Sequence, residues 1–274
     1  MTLTAPDISY LQQSIVKRSG NVISDAQSYL LEARLAPVAK EAGLADVHAL
    51  VKELQGNPVN PLHDTVVEAM TINETSFFRD MQPFDALRDQ ILGELIEKRE
   101  IRKTLSIWSA ATSSGQEPYS IAMLIRTHFP QIEDWKVSIL ATDLSDEMVT
   151  RTREGVYSQF DVNRGLPASM LVKNFDREGL NWRAKPDLKQ MIQARKMNLA
   201  EKWSTVVKHD IVFIRNVLIY FDVAMKETIL NRIYESMRPD GYLFLGGGET
   251  LLQLDVPFER TLIGKIVCFR PIAK

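Results

Sequence analysis

The chain has one cysteine, Cys268, among its 274 residues. An internal disulfide is therefore excluded, and a reducing cytoplasm fits that usage. No run reaches the roughly 18 apolar residues a transmembrane helix needs, and Met1 to Gly20 contain no apolar core of a signal peptide. Neither sign of charge is in excess: 33 Lys and Arg stand against 35 Asp and Glu, a net charge of −2. That balance argues for neither nucleic acid nor direct membrane insertion. The four histidines, His48, His63, His128 and His209, are scattered; they read as surface or core residues, and no metal is expected. Two nucleotide-binding signatures are missing as well. No Gly-x-Gly-x-x-Gly occurs, and no Gly-Lys-Ser/Thr. What is present is an ordinary globular composition, 45% hydrophobic, long enough for one large or two modest domains.

The first seventy or so residues read as helices only. Ile8, Leu11 and Ile15 share one face, with Gly20 beyond the helix end. Ser24 and Gln27 are spaced as a capping box for a second helix, which Pro37 should kink or end. Asp46 can cap a third, whose Val47, Leu50, Val51 and Leu54 keep helical spacing up to Gly56-Asn57-Pro58. Leu62, Val66 and Met70 mark a fourth. Asn73–Asp80 is irregular and precedes a helix over about 83–99. From Thr104 strands and helices alternate, as in a parallel sheet with crossover helices. Strands are expected at 105–111, 137–142, 209–215 and 242–246, with a turn at Arg238–Gly241 and a hairpin near Ile263-Gly264. Helices are expected at 117–129, 146–153 and 223–237. Between Tyr157 and Met197 the alternation fails, and the stretch reads as an insertion; loops of that length are usually functional.

The stretch Leu105–Met123 carries the most chemistry. It reads as a buried strand, a small-residue loop and a helix opening at Glu117-Pro118. In an open α/β sheet a nucleotide-like ligand binds at such a strand end. A loop whose one glycine is Gly115 disfavours a pyrophosphate, and Gly246-Gly-Gly248 follows a late strand, where it marks a flexible turn or a close backbone approach. Glu117 at the helix start repels phosphate and suits a cationic ligand. Asp143, ending the next strand, is placed to accept from a ribose diol. A ligand with ribose, positive charge and no phosphate describes S-adenosylmethionine. Helix capping is the alternative for both acids.

These residues resemble the CheR-type chemotaxis receptor methyltransferases, and the resemblance spans nearly the whole chain. It rests on Asn73-Glu-Thr-Ser-Phe-Phe-Arg79, Ser109–Ser120, Ala141-Thr-Asp143, Asn198-Leu199 and Arg215–Asp222. It implies an α/β, Rossmann-like S-adenosylmethionine-dependent methyltransferase sheet, a small N-terminal all-helical domain at 1–72 and a linker at 73–85 that contributes to the cofactor pocket. The methyltransferase domain would then cover 86–274, with an inserted β-subdomain at about 157–197. The implied reaction is methylation of chemoreceptor glutamates, with S-adenosylhomocysteine as product. The implied cofactor residues are Asn73, Thr75, Arg79, Glu117, Asp143, Asn198, Leu199, Asn216 and Val217, and Arg79 and Tyr220 orient the reacting groups. The implied partners are the cytoplasmic helical region of the receptors and, in some members, a receptor C-terminal peptide held by the β-subdomain, with the enzyme a monomer.

Each residue also has a plainer use. Arg79 fits a surface arginine, Tyr220 a wedge at a strand end, Asn216 a turn tie, and Phe77 and Phe78 core packing. A methyltransferase for another substrate and a non-catalytic receptor-binding adaptor remain open; intact Glu117, Asp143, Arg79 and Tyr220 weigh against the adaptor. Residues 1–80 carry six Lys and Arg against ten Asp and Glu. A basic face for acidic receptor helices therefore depends on Lys17, Arg18, Arg34 and Lys40 clustering.

Overall fold

The computed structural model describes residues 3–203 and 207–273. Its contacts divide the chain into two units. One comprises Met1–Ile72, Asn198–Lys202 and Ile219–Lys226, and the other Asn73–Met197, Trp203–Leu218 and Glu227–Lys274. Among the described residues, no helix is long and apolar enough to cross a membrane.

The first unit is built on α1 (Ala5–Ser19), α2 (Tyr29–Glu41), α3 (Val47–Gly56) and α4 (Leu62–Ala69). Their apolar faces meet in a core that includes Leu11, Ile15, Leu31, Leu35, Leu50, Leu54 and Val66. Thr4 and Asp7 form a capping box on α1, which closes on Gly20 at φ +73°. Asp46 caps α3 by accepting from the Ala49 N–H at 2.9 Å. Two details differ from the sequence reading. The Ser24–Gln27 box forms, but it opens a 3₁₀ turn at Asp25–Gln27 rather than α2. Pro37 does not end α2, which continues to Glu41. An interior proline costs about 3 kcal/mol. Leu31, Leu35, Val38 and Ala39 are all buried, and each of the larger ones returns about 1.5–3 kcal/mol.

The second unit opens with α5 (Gln82–Ala86), a π turn (Leu87–Ile91) and α6 (Leu92–Arg99), so the helix expected over 83–99 carries a π turn in its middle. Then follow β1 (Thr104–Ala110), α7 (Gln116–His128), β2 (Lys136–Asp143) and α8 (Asp146–Glu154). The insertion contributes β3 (Val156–Ser158), α9 (Gln159–Asn163), α10 (Ala168–Asn174), β4 (Phe175–Glu178), β5 (Asn181–Ala184) and α11 (Pro186–Lys189). The chain ends through β6 (Ile192–Lys196), β7 (His209–Ile214), α12 (Val223–Ser236), β8 (Met237–Leu245), β9 (Phe258–Ile263) and β10 (Ile266–Pro271).

The large sheet has the order β6-β2-β1-β7-β8-β10-β9. Its first five strands run parallel, and β9 and β10 form the expected hairpin, antiparallel to each other. The chain moves outward from β1 to β2 and β6, then returns to β7 on the opposite side of β1. The winding therefore reverses between β1 and β7, and the crevice outside their carboxyl ends is the topological switch point. All six residues of β7 are buried, which explains its apolar run.

The insertion is a small antiparallel sheet, β3-β5-β4. It ends sooner than its expected limit at Met197, because β6 belongs to the large sheet and pairs in parallel with β2. As an edge strand it is only partly buried and carries Arg195 and Lys196, so it lacks the apolar signature of a central strand. The turn expected at Arg238–Gly241 lies inside β8. The register there jumps from His209–Met237 to Ile211–Tyr242, so these residues bulge out, with Asp240 taking two bonds from Arg99.

Candidate cofactor and active site

Three segments of the second unit converge at the switch point: the linker Asn73–Asp80, the β1–α7 loop and the residues after β7. Among the described residues, seven non-glycine residues have positive φ. Five of them are here, namely Phe78, Asp80, Ala111, Ser113 and Asn216. Such backbone costs of order 1–3 kcal/mol per residue and concentrates where a site is shaped.

Arg215 sits at the centre with its side chain 2% exposed. Its guanidinium donates to Glu117 at 3.0 Å, to the Asp80 carboxylate at 3.0 Å and to the Arg79 carbonyl at 2.8 Å. Ser109 donates to the other Glu117 oxygen at 2.7 Å. Glu117 is thus a partner of a buried arginine as well as a residue of the first helical turn. One cation between two carboxylates leaves a net charge of −1, which suits a ligand bearing one positive charge. The Arg215 Nε is buried with no hydrogen-bond partner among the described residues, a donor left over for a ligand.

The β1–α7 loop is tied on every side. Asp143 accepts from the Ser113 N–H at 2.7 Å and from the Ser145 N–H at 3.0 Å. Both its oxygens serve loop backbone, but it caps no helix: Ser145 is the N-cap of α8 and Gly115 that of α7. Ser113 Oγ donates to the Asn73 carbonyl at 2.8 Å. Gly115 has φ +95°, and a Cβ there would lie 2.8 Å from Thr152 and 2.9 Å from Tyr157, so glycine is required on both counts. The Tyr157 hydroxyl donates to the Ser114 carbonyl at 3.0 Å. Burial raises its pKa well above the usual value, which keeps the proton this bond needs.

The linker is fixed by the insertion. The Phe77 N–H donates to the Arg164 carbonyl at 3.1 Å, and the Arg164 guanidinium pairs with Glu74 at 2.7 Å. A Cβ on Gly165 would fall 2.0 Å from the Phe77 carbonyl oxygen. Phe77 and Phe78 are core residues, Phe77 edge-on to Tyr157 and Phe78 edge-on to Phe84. Arg79 is half-buried; its guanidinium donates to the Glu74 carbonyl at 3.1 Å and makes no ion pair among the described residues. Asn73 and Thr75 are half-buried as well.

After β7, the backbone N–H groups of Asn216, Val217 and Leu218 all donate to Glu249, at 2.7–2.9 Å. Glu249 lies outside every motif of the sequence. The one signal was the glycine run before it, where Gly246 approaches Asn216 too closely for any side chain. Arg215 stood inside a quoted motif without a role; a charged residue ending an apolar strand was its signal.

The remaining expected site residues belong to the helical unit. The Asn198 side chain donates to the Arg18 carbonyl at 2.6 Å and accepts from the Ala200 N–H at 3.0 Å. Leu199 is buried, and the Tyr220 carbonyl accepts from the Val22 N–H at 2.9 Å. Of the four basic residues considered for receptor docking, Arg18 donates to the Pro58 carbonyl and Arg34 to the Thr71 carbonyl. Among the described residues, no group of three or more His, Cys, Asp or Glu is arranged to hold a metal ion.

Comparison with known proteins agrees with this chemistry. A family model described as the CheR methyltransferase, SAM binding domain, matches residues 73–265. Chemotaxis protein methyltransferase Cher2 of Pseudomonas putida is 38% identical over 250 residues, covering 89% of this chain and 90% of that one. Chemotaxis protein methyltransferase 1 of Pseudomonas aeruginosa is 39% identical over 275 residues, covering 98% and 99%. Chemotaxis protein methyltransferase 1 of Vibrio cholerae is 39% identical over 244 residues, covering 88% and 87%. The chain belongs to the CheR family of S-adenosylmethionine-dependent chemotaxis methyltransferases.

Proposed function

We infer that the chain methylates glutamate side chains of bacterial chemoreceptors, forming methyl esters and leaving S-adenosylhomocysteine. The observation that carries this reading, within the family, is the net-negative Arg215–Glu117–Asp80 cluster with its leftover donor at the switch point. S-adenosylmethionine supplies a methyl group already activated on a sulfonium. The accepting glutamate, with a pKa near 4.3, is ionised at neutral pH, so the chain's own residues need remove no proton. Their task is to hold oxygen and methyl in line and to keep water out.

In this reading Asn73, Thr75, Arg79, Glu117, Asp143, Asn198, Leu199, Asn216 and Val217 hold the cofactor, with linker residues 73–85 contributing to its pocket. Arg79 and Tyr220 orient the reacting groups. Arg79 retains a guanidinium face with no ion pair among the described residues, as binding a carboxylate requires. Asp143 acts there through the loop it organises as much as through a ribose contact.

The chain acts on the cytoplasmic helical region of its receptors, as a cytoplasmic monomer that neither inserts into the membrane nor binds nucleic acid. The insertion grips a receptor C-terminal peptide by adding a strand to its small sheet. Two features support this. The strand β4 is an edge of that sheet. Residues 156–191 carry six Lys and Arg against four Asp and Glu, in a chain whose net charge is −2, an excess that favours an acidic segment. Calorimetry with S-adenosylmethionine and with NAD tests the cofactor half; the first should bind and the second should not. Failure of the first would overturn the reading.

A further inference from the structure

Glu249 lies outside every motif that pointed to the cofactor, yet it makes the densest set of polar contacts at the switch point. Its Oε1 accepts from the N–H groups of Val217 at 2.9 Å and Leu218 at 2.7 Å. Its Oε2 accepts from the N–H groups of Asn216 at 2.8 Å and Gly246 at 2.7 Å. Three of these donors are successive in sequence, and Asn216 begins them at φ +59°. Successive N–H groups turned inward by a left-handed residue form a nest, a concavity that binds anions. Here the anion is the protein's own. Gly246 is part of the device, because a Cβ there would lie 2.7–2.8 Å from Asn216 and 2.8 Å from the Glu249 oxygen.

Two consequences follow. The nest is filled, so the backbone donors of Asn216 and Val217 are not offered to a ligand phosphate or carboxylate. And the loop that carries Asn216 holds its left-handed turn because four charge-assisted bonds fix it, each stronger than a neutral one. We propose that Glu249 is a positioning residue for methyl transfer: its carboxylate plugs the nest after β7 and so fixes the loop whose Asn216 and Val217 hold the cofactor. This rests on the methyltransferase reading above.

The test is S-adenosylhomocysteine binding by calorimetry on the full chain, with thermal unfolding alongside. The parent chain must bind; if it does not, the methyltransferase reading fails before Glu249 is in question. Glu249→Ala should weaken binding about tenfold or more, the loss expected from removing charge-assisted bonds. Added formate should then restore affinity saturably, because a free carboxylate refills the nest; a purely structural role gives no such rescue. Formate should leave the parent unchanged. Unaltered affinity in Glu249→Ala, or lost affinity that formate does not restore, overturns the proposal. Should the alanine variant not fold, Glu249→Gln decides. It keeps the shape and one acceptor oxygen but turns an amide donor toward N–H groups. Weakened binding with a melting temperature near the parent's supports the proposal, and parental affinity refutes it.

Discussion

At the level of single residues, the site is organised around one buried arginine. Arg215 is enclosed by Glu117, Asp80 and the Arg79 carbonyl. Glu117→Gln should therefore lower stability by about 2–3 kcal/mol in urea unfolding. That is less than the 3–5 kcal/mol for breaking a buried pair outright, because Asp80 still faces the guanidinium. Unchanged stability would mean that Arg215 is balanced by something else. Arg79 differs, with one bond to a carbonyl and no ion pair among the described residues. Arg79→Ala should leave the melting temperature near the parent's while the methylation rate falls by about a hundredfold, the scale of a misplaced reacting group. Full activity in that variant would remove Arg79 from catalysis. The sequence exposed Glu117 and Asp143 because each follows a recognisable strand, but it did not show what they bond to. Glu117 meets an arginine 98 positions away, and Glu249 meets N–H groups 31 to 33 positions away. Neither pairing leaves a local pattern.

At the level of elements, most helices and buried strands were legible because periodicity reports burial of a face. The exceptions share a cause: tertiary contact overrode the local signal. Pro37 is carried inside α2 by its buried neighbours. Edge strand β6 is too polar to read as a strand of the large sheet. The pieces Asn198–Lys202 and Ile219–Lys226, which pack with the N-terminal helices, gave no hint of that partner. The clamp of the insertion on the linker is equally non-local, and it makes a prediction. Gly165→Ala places a Cβ 2.0 Å from the Phe77 carbonyl oxygen at φ +87°. It should destabilise the chain by more than about 1–3 kcal/mol, since strain and clash add. A parental melting temperature would refute the clamp.

Strand β7 supplies a pH dependence. His209, its first residue, is buried within 2.9 Å of the Ser106 hydroxyl. Burial first, and Arg238 second, lower its pKa from 6.5 to about 4. The folded chain therefore resists a proton that the unfolded chain accepts. No penalty exists above pH 6.5. Stability falls as the pH drops from 6.5 to about 4, by at most about 3 kcal/mol. Urea midpoints at pH 7 and pH 4.5 should differ less in His209→Gln than in the parent. An equal slope in both would assign the acid sensitivity to other groups.

For the whole molecule, charge is distributed against function in an informative way. The chain is nearly neutral, its insertion carries a small excess of positive charge, and the Arg215 cluster at its switch point is net negative. On the proposed reading, receptor engagement should weaken as salt rises while cofactor binding changes little. The resemblance in the sequence named the substrate; geometry adds a net-negative cluster around Arg215 that would favour a cation over a phosphate. The most direct check is to incubate the purified chain with S-adenosylmethionine labelled in its methyl group and the cytoplasmic fragment of a chemoreceptor, then treat the product with base. Label should enter the receptor and leave as methanol, the behaviour of a glutamate methyl ester. Base-stable label, or no transfer by a chain that binds S-adenosylhomocysteine normally, would contradict glutamate methylation.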